Sequence, residues 1–441
     1  TPTTDGVVKV NIAAGVATDT AGNENIAAVQ FSIIYYATDT YTFTVGDTNE
    51  FDFHTIQAAI NAANPGDTIN VVEGNYKEQL FINKSLTLQG AGAETTTIQA
   101  PDTMTATTWT HRGATFQTVI EVNGASAHGI AVNISGFTID GLNKSNASPR
   151  YTGIVYHNAD GTVSNNTVTK FGSNPPAGAD GWGIFVVEGS NVTISGNTVD
   201  KWGKGGIVVD GDENYTSTDA TATITGNTIT GAGEITAVAQ NGIQISRGAT
   251  GQVSENTVTG NFYSGSDWSG SGILLYYSKD VLVAKNTLTG NQTGIYINGQ
   301  DSTYTTDGSQ ISGNNISGGK YGIALLHTKD TTITGNTISG NTNSGFRLRA
   351  DETNTIIRDN NITGNNTSNA ATDGGILIEN GTDVNQITVH FNNIVGNKQY
   401  GILNNNNSSG WLDATLNPPL ESTRETPVLP FFDSPNIACH S

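Results

Sequence analysis

Cysteine is almost missing from this 441-residue chain. Cys439 stands alone, which excludes a disulfide within the chain and a cysteine-built metal site. Basic residues are also scarce, with 19 Lys and Arg against 39 Asp and Glu and a net charge of −20. So acidic a chain offers no electrostatic footprint for nucleic acid or an anionic membrane surface, which sets aside a nucleic-acid partner. No apolar run approaches the ~20 residues of a membrane span, so membrane insertion is not expected. Thr1-Pro2 opens the chain without a signal peptide, and a processed N-terminus is the expectation. His111, His128, His157, His327 and His390 lie scattered without metal-ligand spacing. No EF-hand pattern is present. No cofactor is required by these features, and calcium held by acidic turns is the one candidate.

Proline is low at 11 residues while glycine reaches 53, which points to many tight turns between short strands. A repeat then settles the organisation. The triplet Asn-Thr/Asn-Val/Ile/Leu recurs at Asn166, Asn197, Asn227, Asn256, Asn286, Asn314, Asn336, Asn360 and Asn392, at intervals of 22 to 32 residues. A second signature precedes it, Gly followed by Ile or Phe, as in Gly183-Ile184, Gly242-Ile243, Gly294-Ile295 and Gly345-Phe346. Between them run short stretches of alternating apolar and polar residues, such as Val192-Thr193-Ile194. One such rung cannot bury its apolar face. Stacking rungs at ~4.8 Å buries a continuous column of Ile and Val. The recurring Asn suits a turn, where its amide can bond backbone groups and its neighbours in the stack. The expected fold is all-β, a parallel β-helix spanning residues 46–417.

A helix over 55–63, with Ile56, Ala59, Ile60 and Ala63 on one stripe, is the expected cap of the open end. Residues 1–45 read as a strand segment outside the repeat, and residues 418–441 as an irregular tail.

The block from Thr55-Ile56-Gln57-Ala58-Ala59-Ile60 through Gly66-Asp67-Thr68-Ile69 to Gly74-Asn75-Tyr76 resembles the N-terminal cap and first rung of the pectate-lyase-like superfamily. The repeats from 130 to 407 are similar to the β-helix repeats of carbohydrate-binding proteins and sugar hydrolases. The resemblance implies a right-handed β-helix. It leaves function open, since the superfamily holds lyases, hydrolases, esterases, epimerases, tailspikes and adhesins. The run Gly15-Val16-Ala17-Thr18-Asp19-Thr20-Ala21-Gly22-Asn23 resembles the last strands of bacterial immunoglobulin-like surface repeats, which makes the first segment a remnant of such a repeat or a lid.

If Ile points inward in each Gly-Ile strand, the second and fourth residues after Gly face out. One such column reads Val155, Phe185, Val208, Gln244, Leu274, Tyr296, Ala324, Arg347, Leu377, and the next carries His157, Val187, Asp210, Ser246, Tyr276, Asn298, Leu326, Arg349, Glu379. Adjacent residues and turns add Arg247, Trp182, Trp202, Lys204 and Trp268. Aromatic faces pack on sugar rings, while amide and guanidinium groups meet hydroxyls, so Trp182, Phe185, Trp202, Lys204, Gln244, Arg247, Trp268, Tyr276, Tyr296, Arg347 and Arg349 are the expected substrate-binding set. Glycoside hydrolysis needs two carboxylates ~5–10 Å apart, and Asp210, Asp212, Asp180 and Asp267 are the expected catalytic candidates. Elimination on a uronate polymer would instead use Lys204, Arg247, Arg347 and Arg349. The scarcity of basic residues favours the hydrolase. The sequence thus reads as a secreted or cell-surface bacterial enzyme degrading a polysaccharide, with a lyase or a non-catalytic adhesin as alternatives.

Overall fold

The structure is a computed structural model that describes residues 6–10, 14–18, 20–24, 31–35, 40–104, 108–146, 148–187, 189–211, 220–266, 268–379, 381–383 and 386–405. It is a parallel β-helix built from three long sheets. One coil runs through Gly181–Val187, Ser190–Ser195 and Thr198–Trp202, and the next begins at Gly205–Asp210. The first strand of each coil belongs to the front sheet, which carries the Gly-Ile signature, and the others belong to the second and third sheets. Strands pair with their counterparts one coil away, so Ile184, Ile207, Ile243, Ile273, Ile295 and Ile323 stand in one fully buried file.

The glycine of that signature answers a contact. A Cβ on Gly183 would lie 2.5 Å from the carbonyl oxygen of Gly206, and one on Gly294 would lie 2.6 Å from that of Gly322. Each glycine thus sits against the next through the stack, where a methyl group has no room.

The recurring Asn forms a ladder at the turn between the second and third sheets. The Asn197 amide accepts from the backbone N–H of Asn166 at 3.0 Å and from its side chain at 3.2 Å, and Asn166 in turn donates to the Ile134 carbonyl at 3.0 Å. The pattern repeats through Asn227, Asn256, Asn286, Asn314, Asn336, Asn360 and Asn392, all buried. A second ladder, absent from the sequence reading, links Asn261 to Asn291 and Asn341 through Asn365 to Asn397.

The cap helix forms at Ile56–Ala62 and packs on Thr42–Val45 and Thr68–Val71 of the second sheet and on Leu80–Ile82 of the front sheet, with Ile56, Ala59 and Ile60 buried. Thr55 caps it through the Ala58 N–H, and the Glu78 carboxylate accepts from the N–H groups of Ile56 and Gln57 at 2.9 and 3.0 Å. The solenoid starts slightly earlier than expected, because Thr42–Val45 pairs in parallel with Thr68–Val71. Before it, Gly6–Val10 and Phe31–Tyr35 form a separate antiparallel pair. The expected tail at 418–441 lies outside the described residues.

Asn256 accepts from the backbone and side-chain N–H groups of Asn227 on one side, and donates to the Ile224 and Ser254 carbonyls and to the Asn286 amide oxygen. Asn256→Ala is expected to lower folding stability by about 1–3 kcal/mol, because it orphans those groups. Thermal or denaturant unfolding followed by circular dichroism measures it. An unchanged midpoint would show that the ladder is not a stabilising element.

Candidate functional site

The register sets which front-sheet side chains share the outer face. Glu121, Val155, Phe185, Val208, Gln244, Leu274, Tyr296, Ala324, Arg347 and Leu377 stand in one file. Val187, Asp210, Ser246, Tyr276, Asn298 and Leu326 stand in the next. Both columns agree with the spacing of the Gly-Ile signature. Their surroundings divide the face into two halves.

The half nearer the N-terminus is covered. Thr108–His111 turns back to pair antiparallel with Ala114–Asn123. The hairpin lays Trp109 and Phe116, stacked 4.4 Å apart, onto Trp182, Phe185, Val155, Val187 and Val208. Trp182 and Phe185 were expected to stack on sugar. They are buried under this hairpin instead, since an apolar stretch from Val155 to Val208 gains more from a dry cover than from water. Trp202 is a second correction. It is only 1% exposed, stands in register with Phe171, and joins the main core. Lys201 adopts a positive φ of 53°, which reverses the alternation of the strand and turns the following Trp202 inward. Lys204 also leaves the expected binding set. Burial pulls its pKa down to about 8, and its ammonium donates to the Ala239 carbonyl.

Asp210 sits where hairpin and sheet meet. Its carboxylate accepts from His111 Nε2 at 2.9 Å, Arg247 Nη1 at 2.9 Å and Ser246 Oγ at 2.6 Å. Burial alone would raise its pKa, but the hydrogen bonds from His111 and Ser246 and the Arg247 charge outweigh that and hold it below the ordinary value. A buried carboxylate kept ionised by these partners is an anchor for the hairpin, not an acid that gives up a proton. Asp180 cannot be its catalytic partner. Asp180 precedes Gly181–Val187, and Val187 is in register with Asp210, so the two lie about 20 Å apart along the strands, well beyond the separation a hydrolase needs. Asp180 is instead bound to Ser173, through the backbone N–H at 3.1 Å and the hydroxyl at 2.8 Å. Asp212 and Asp267 lie outside the described residues. His157, assigned no role from sequence, packs edge-on against Trp109 at 4.5 Å, and burial with the nearby His111 charge lowers its pKa to about 4.

The other half of the face is open. Gln244, Leu274, Tyr276, Tyr296, Asn298, Arg347 and Arg349 are all half-buried. Asn241 donates to Gln244 at 3.0 Å and Gln244 to Ser246 at 2.9 Å, a polar chain that ends on Asp210. The Arg247 guanidinium lies 5.3 Å from the Tyr276 ring centre. Trp268 is 74% exposed in the segment leading into Ser271–Tyr276. Further along, Arg349 Nη1 donates to the Tyr296 hydroxyl at 3.0 Å. The small Ala324 occupies the intervening coil and leaves room for this reach. Arg347 donates through Nε to Glu379 at 2.8 Å, lies 4.8 Å over the Tyr321 ring, and has no described hydrogen-bond partner for its terminal nitrogens. Glu379 also stands 3.6 Å from Arg349 Nε. Burial raises the Tyr296 pKa despite the Arg349 charge, so its hydroxyl remains protonated near neutrality. Tyr321 and Glu379 were not part of the expected set. The signal for both was available, since each stands at or next to a position the register assigns to this face.

Glu352 follows Arg349 but turns inward. It is fully buried, accepts from the Arg349 N–H at 3.2 Å, and has no partner for Oε2. Desolvation lifts its pKa to about 7. Among the described residues no three or more His, Cys, Asp or Glu come together to hold a metal ion.

A stack of coils with an open, ring-and-guanidinium-lined sheet defines a β-helix protein with one exposed working face. The family described as right-handed β-helix region matches residues 107–266 and again 263–416, and the chain belongs to it. No curated protein sequence matches the chain. Among solved structures it is similar to the Dettilon tailspike protein, with 17% identity, a TM-score of 0.53, and coverage of 75% of this chain and 60% of that one. It is also similar to an alginate lyase from Paenibacillus, with 17% identity, a TM-score of 0.51, and coverage of 71% and 99%. A lacto-N-biosidase from Eubacterium ramulus shows 12% identity, a TM-score of 0.53, and coverage of 84% and 67%. At these identities the likeness is one of fold. The chain spans only about 60% of the tailspike's length.

Glu352 generates a pH prediction. Its folded pKa of about 7 lies above the ordinary 4.5, so the folded chain holds a proton that the unfolded chain has released. The stability this gives is complete below pH 4.5, falls as pH rises, and is gone above about pH 7. Glu352→Gln is therefore expected to be more stable than the parent near pH 8, by up to about 3 kcal/mol, with the gap closing near pH 5. Unfolding curves at the two pH values test this, and a pH-independent difference contradicts the burial of an ionisable carboxyl.

Proposed function

We propose that the chain binds a uronate-bearing polysaccharide along the open half of the front sheet and cleaves it by β-elimination. The observation that carries this reading is the contact of Arg349 with Tyr296, beside Arg347. Removing the proton next to a carboxylate requires that the carboxylate be neutralised, and paired guanidinium forks do this with directional hydrogen bonds. Arg347 and Arg349 share the single carboxylate of Glu379, so the patch is locally cationic in a chain of net charge −20. Distant surface carboxylates are screened beyond a Debye length of about 8 Å, which leaves these near charges in control of binding. The Glu379 carboxylate in this patch takes the proton beside the uronate carboxylate as the bond to the glycosidic oxygen breaks, and Tyr296, which keeps its own proton, hands it to that departing oxygen. Gln244, Tyr276, Asn298 and Trp268 extend the surface along the polymer with amides and rings. Elimination is preferred to hydrolysis because Asp180 and Asp210 do not form a carboxylate pair. The fold is shared with the alginate lyase described above, which fits this reading. A secreted or surface-exposed setting suits a polymer substrate.

Incubation with uronate-containing and neutral polysaccharides, followed at the absorbance of unsaturated uronates, tests it. Product is expected from the former alone. Tyr296→Phe and Arg349→Ala are each expected to slow the reaction about 10²–10⁴-fold without lowering the unfolding midpoint. New reducing ends without the absorbance would mean hydrolysis and overturn elimination. Binding without product would mean an adhesin, and no binding at all would overturn the polysaccharide reading.

A further inference from the structure

Basic side chains are scarce in this chain, with 19 Lys and Arg among 441 residues, yet a third one stands near the two arginines of the open face. Lys320 directly precedes the front strand Tyr321–Leu326, and its ammonium lies over the Tyr321 ring at 5.6 Å. The Arg347 guanidinium, from the next coil, lies over the same ring at 4.8 Å. Two cations on one ring repel each other, and the attraction of the ring offsets only part of that. Arg347 is met through Nε by Glu379. The Lys320 ammonium has no hydrogen-bond or ion-pair partner among the described residues. Asp373, whose charge also acts on Tyr321, forms no ion pair with it. That carboxylate is buried, with Oδ1 taken by Ser344 at 2.8 Å and Oδ2 by Asn343 at 2.9 Å. Lys320 and Arg347 are both partly exposed, and neither the ammonium nor the terminal guanidinium nitrogens belong to the buried atoms that lack a partner, so a ligand on this face can reach them.

The place of Lys320 decides what it can bind. Tyr296, Ala324 and Arg347 are in register, and Tyr321 stands at the start of the Ala324 strand. Tyr321 is therefore about 10 Å from the Tyr296 file along the strands, at ~3.3 Å per residue. One sugar ring does not span that gap, so a carboxylate at Lys320 belongs to a different sugar from the one at Tyr296. Asn298 and Tyr276 lie on the opposite side of the Tyr296 file, at the C-terminal ends of their strands. Resting on the polysaccharide reading, we propose that Lys320 is a second acid-sugar subsite, so that the polymer crosses the front sheet obliquely and offers another carboxylate on the Tyr321 side of the reacting bond. Lysine suits that place. Its compact ammonium meets a carboxylate from many directions, which serves a sugar that is gripped but not reacted. Arg347 lies between the two sugars, with Nε on Glu379 and its guanidinium over Tyr321.

The experiment compares an all-uronate polymer with the same polymer after most of its carboxylates have been reduced to alcohols, which leaves the remaining uronates without acid neighbours. Affinity electrophoresis is run on the full chain and on its Lys320→Gln and Lys320→Arg variants. Lys285→Gln, at the exposed turn between Leu282–Ala284 and Thr287–Thr289, controls for charge alone. The parent is expected to prefer the all-uronate polymer. Lys320→Gln is expected to lower that preference about 10-fold, the loss of one charge-assisted contact, and to raise KM for the all-uronate polymer by a like factor. Lys320→Arg keeps a cation and is expected to retain most of the preference, and unfolding curves check that every variant folds. A parent without preference, or an unchanged preference in Lys320→Gln, overturns the subsite. An equal loss in Lys285→Gln also overturns it, since the lysine would then act only through the overall charge. If Arg349→Ala abolishes uronate binding while Lys320→Gln changes nothing, the subsite fails and the polysaccharide reading stands. If the parent binds neither polymer, both fail. Affinity is read apart from product, so a chain that binds without cleaving still decides the subsite.

Discussion

The whole structure depends on one spacing, the step of about 4.8 Å that main-chain hydrogen bonds impose between parallel strands of successive coils. At that step every residue meets its counterpart in the coil above and below. A glycine before each inward Ile must stay a glycine, because the next carbonyl occupies the place of its Cβ. An Asn at a recurring turn can accept from the backbone and side chain of the next Asn in the stack and so relieve two buried donors. A residue added within a strand shifts the register, as it does between Thr230 and Gly233 against Thr259 and Asn261.

That regularity leaves function to the places where the outer face departs from it. On the front sheet, an apolar stretch and a polar stretch follow one another along the same files. The apolar stretch is sealed by the hairpin of Trp109 and Phe116, and the seal is fastened by the buried Asp210, which accepts from both His111 and Arg247. The polar stretch is left open and gathers two arginines, two tyrosines and one glutamate within three coils of each other. Buried charge serves different ends in the two regions. Around Asp210 both carboxylate oxygens are paired, which fixes a cover. At Glu352 it is half-satisfied and weakens the fold as the pH rises.

Much of this was legible before any coordinates. The Asn triplets and Gly-Ile pairs gave the coil, and the period-2 alternation matches the register of the first outward file from Val155 to Arg347 and of the second from Val187 to Leu326. The helix stripe Ile56, Ala59, Ile60 was equally plain. The second ladder was legible but overlooked: Asn261, Asn291, Asn341, Asn365 and Asn397 keep one fixed spacing from Asn256, Asn286, Asn336, Asn360 and Asn392. Trp202 was misplaced for a physical reason, since the alternation rule assumes extended backbone throughout and Lys201 breaks it with a left-handed residue.

The sequence by itself determined the repeat, its register and the side chains that share a face, because those follow from local periodicity multiplied by stacking. Only the tertiary structure decided which of those side chains meet a ligand. Whether Phe185 is a sugar platform or a core residue depends on a hairpin that starts some seventy residues earlier in the chain. Whether Asp180 belongs with Asp210 or with Ser173 depends on which ends of neighbouring strands lie side by side. Burial and pairing between residues remote in sequence are set by packing, and no local pattern encodes them.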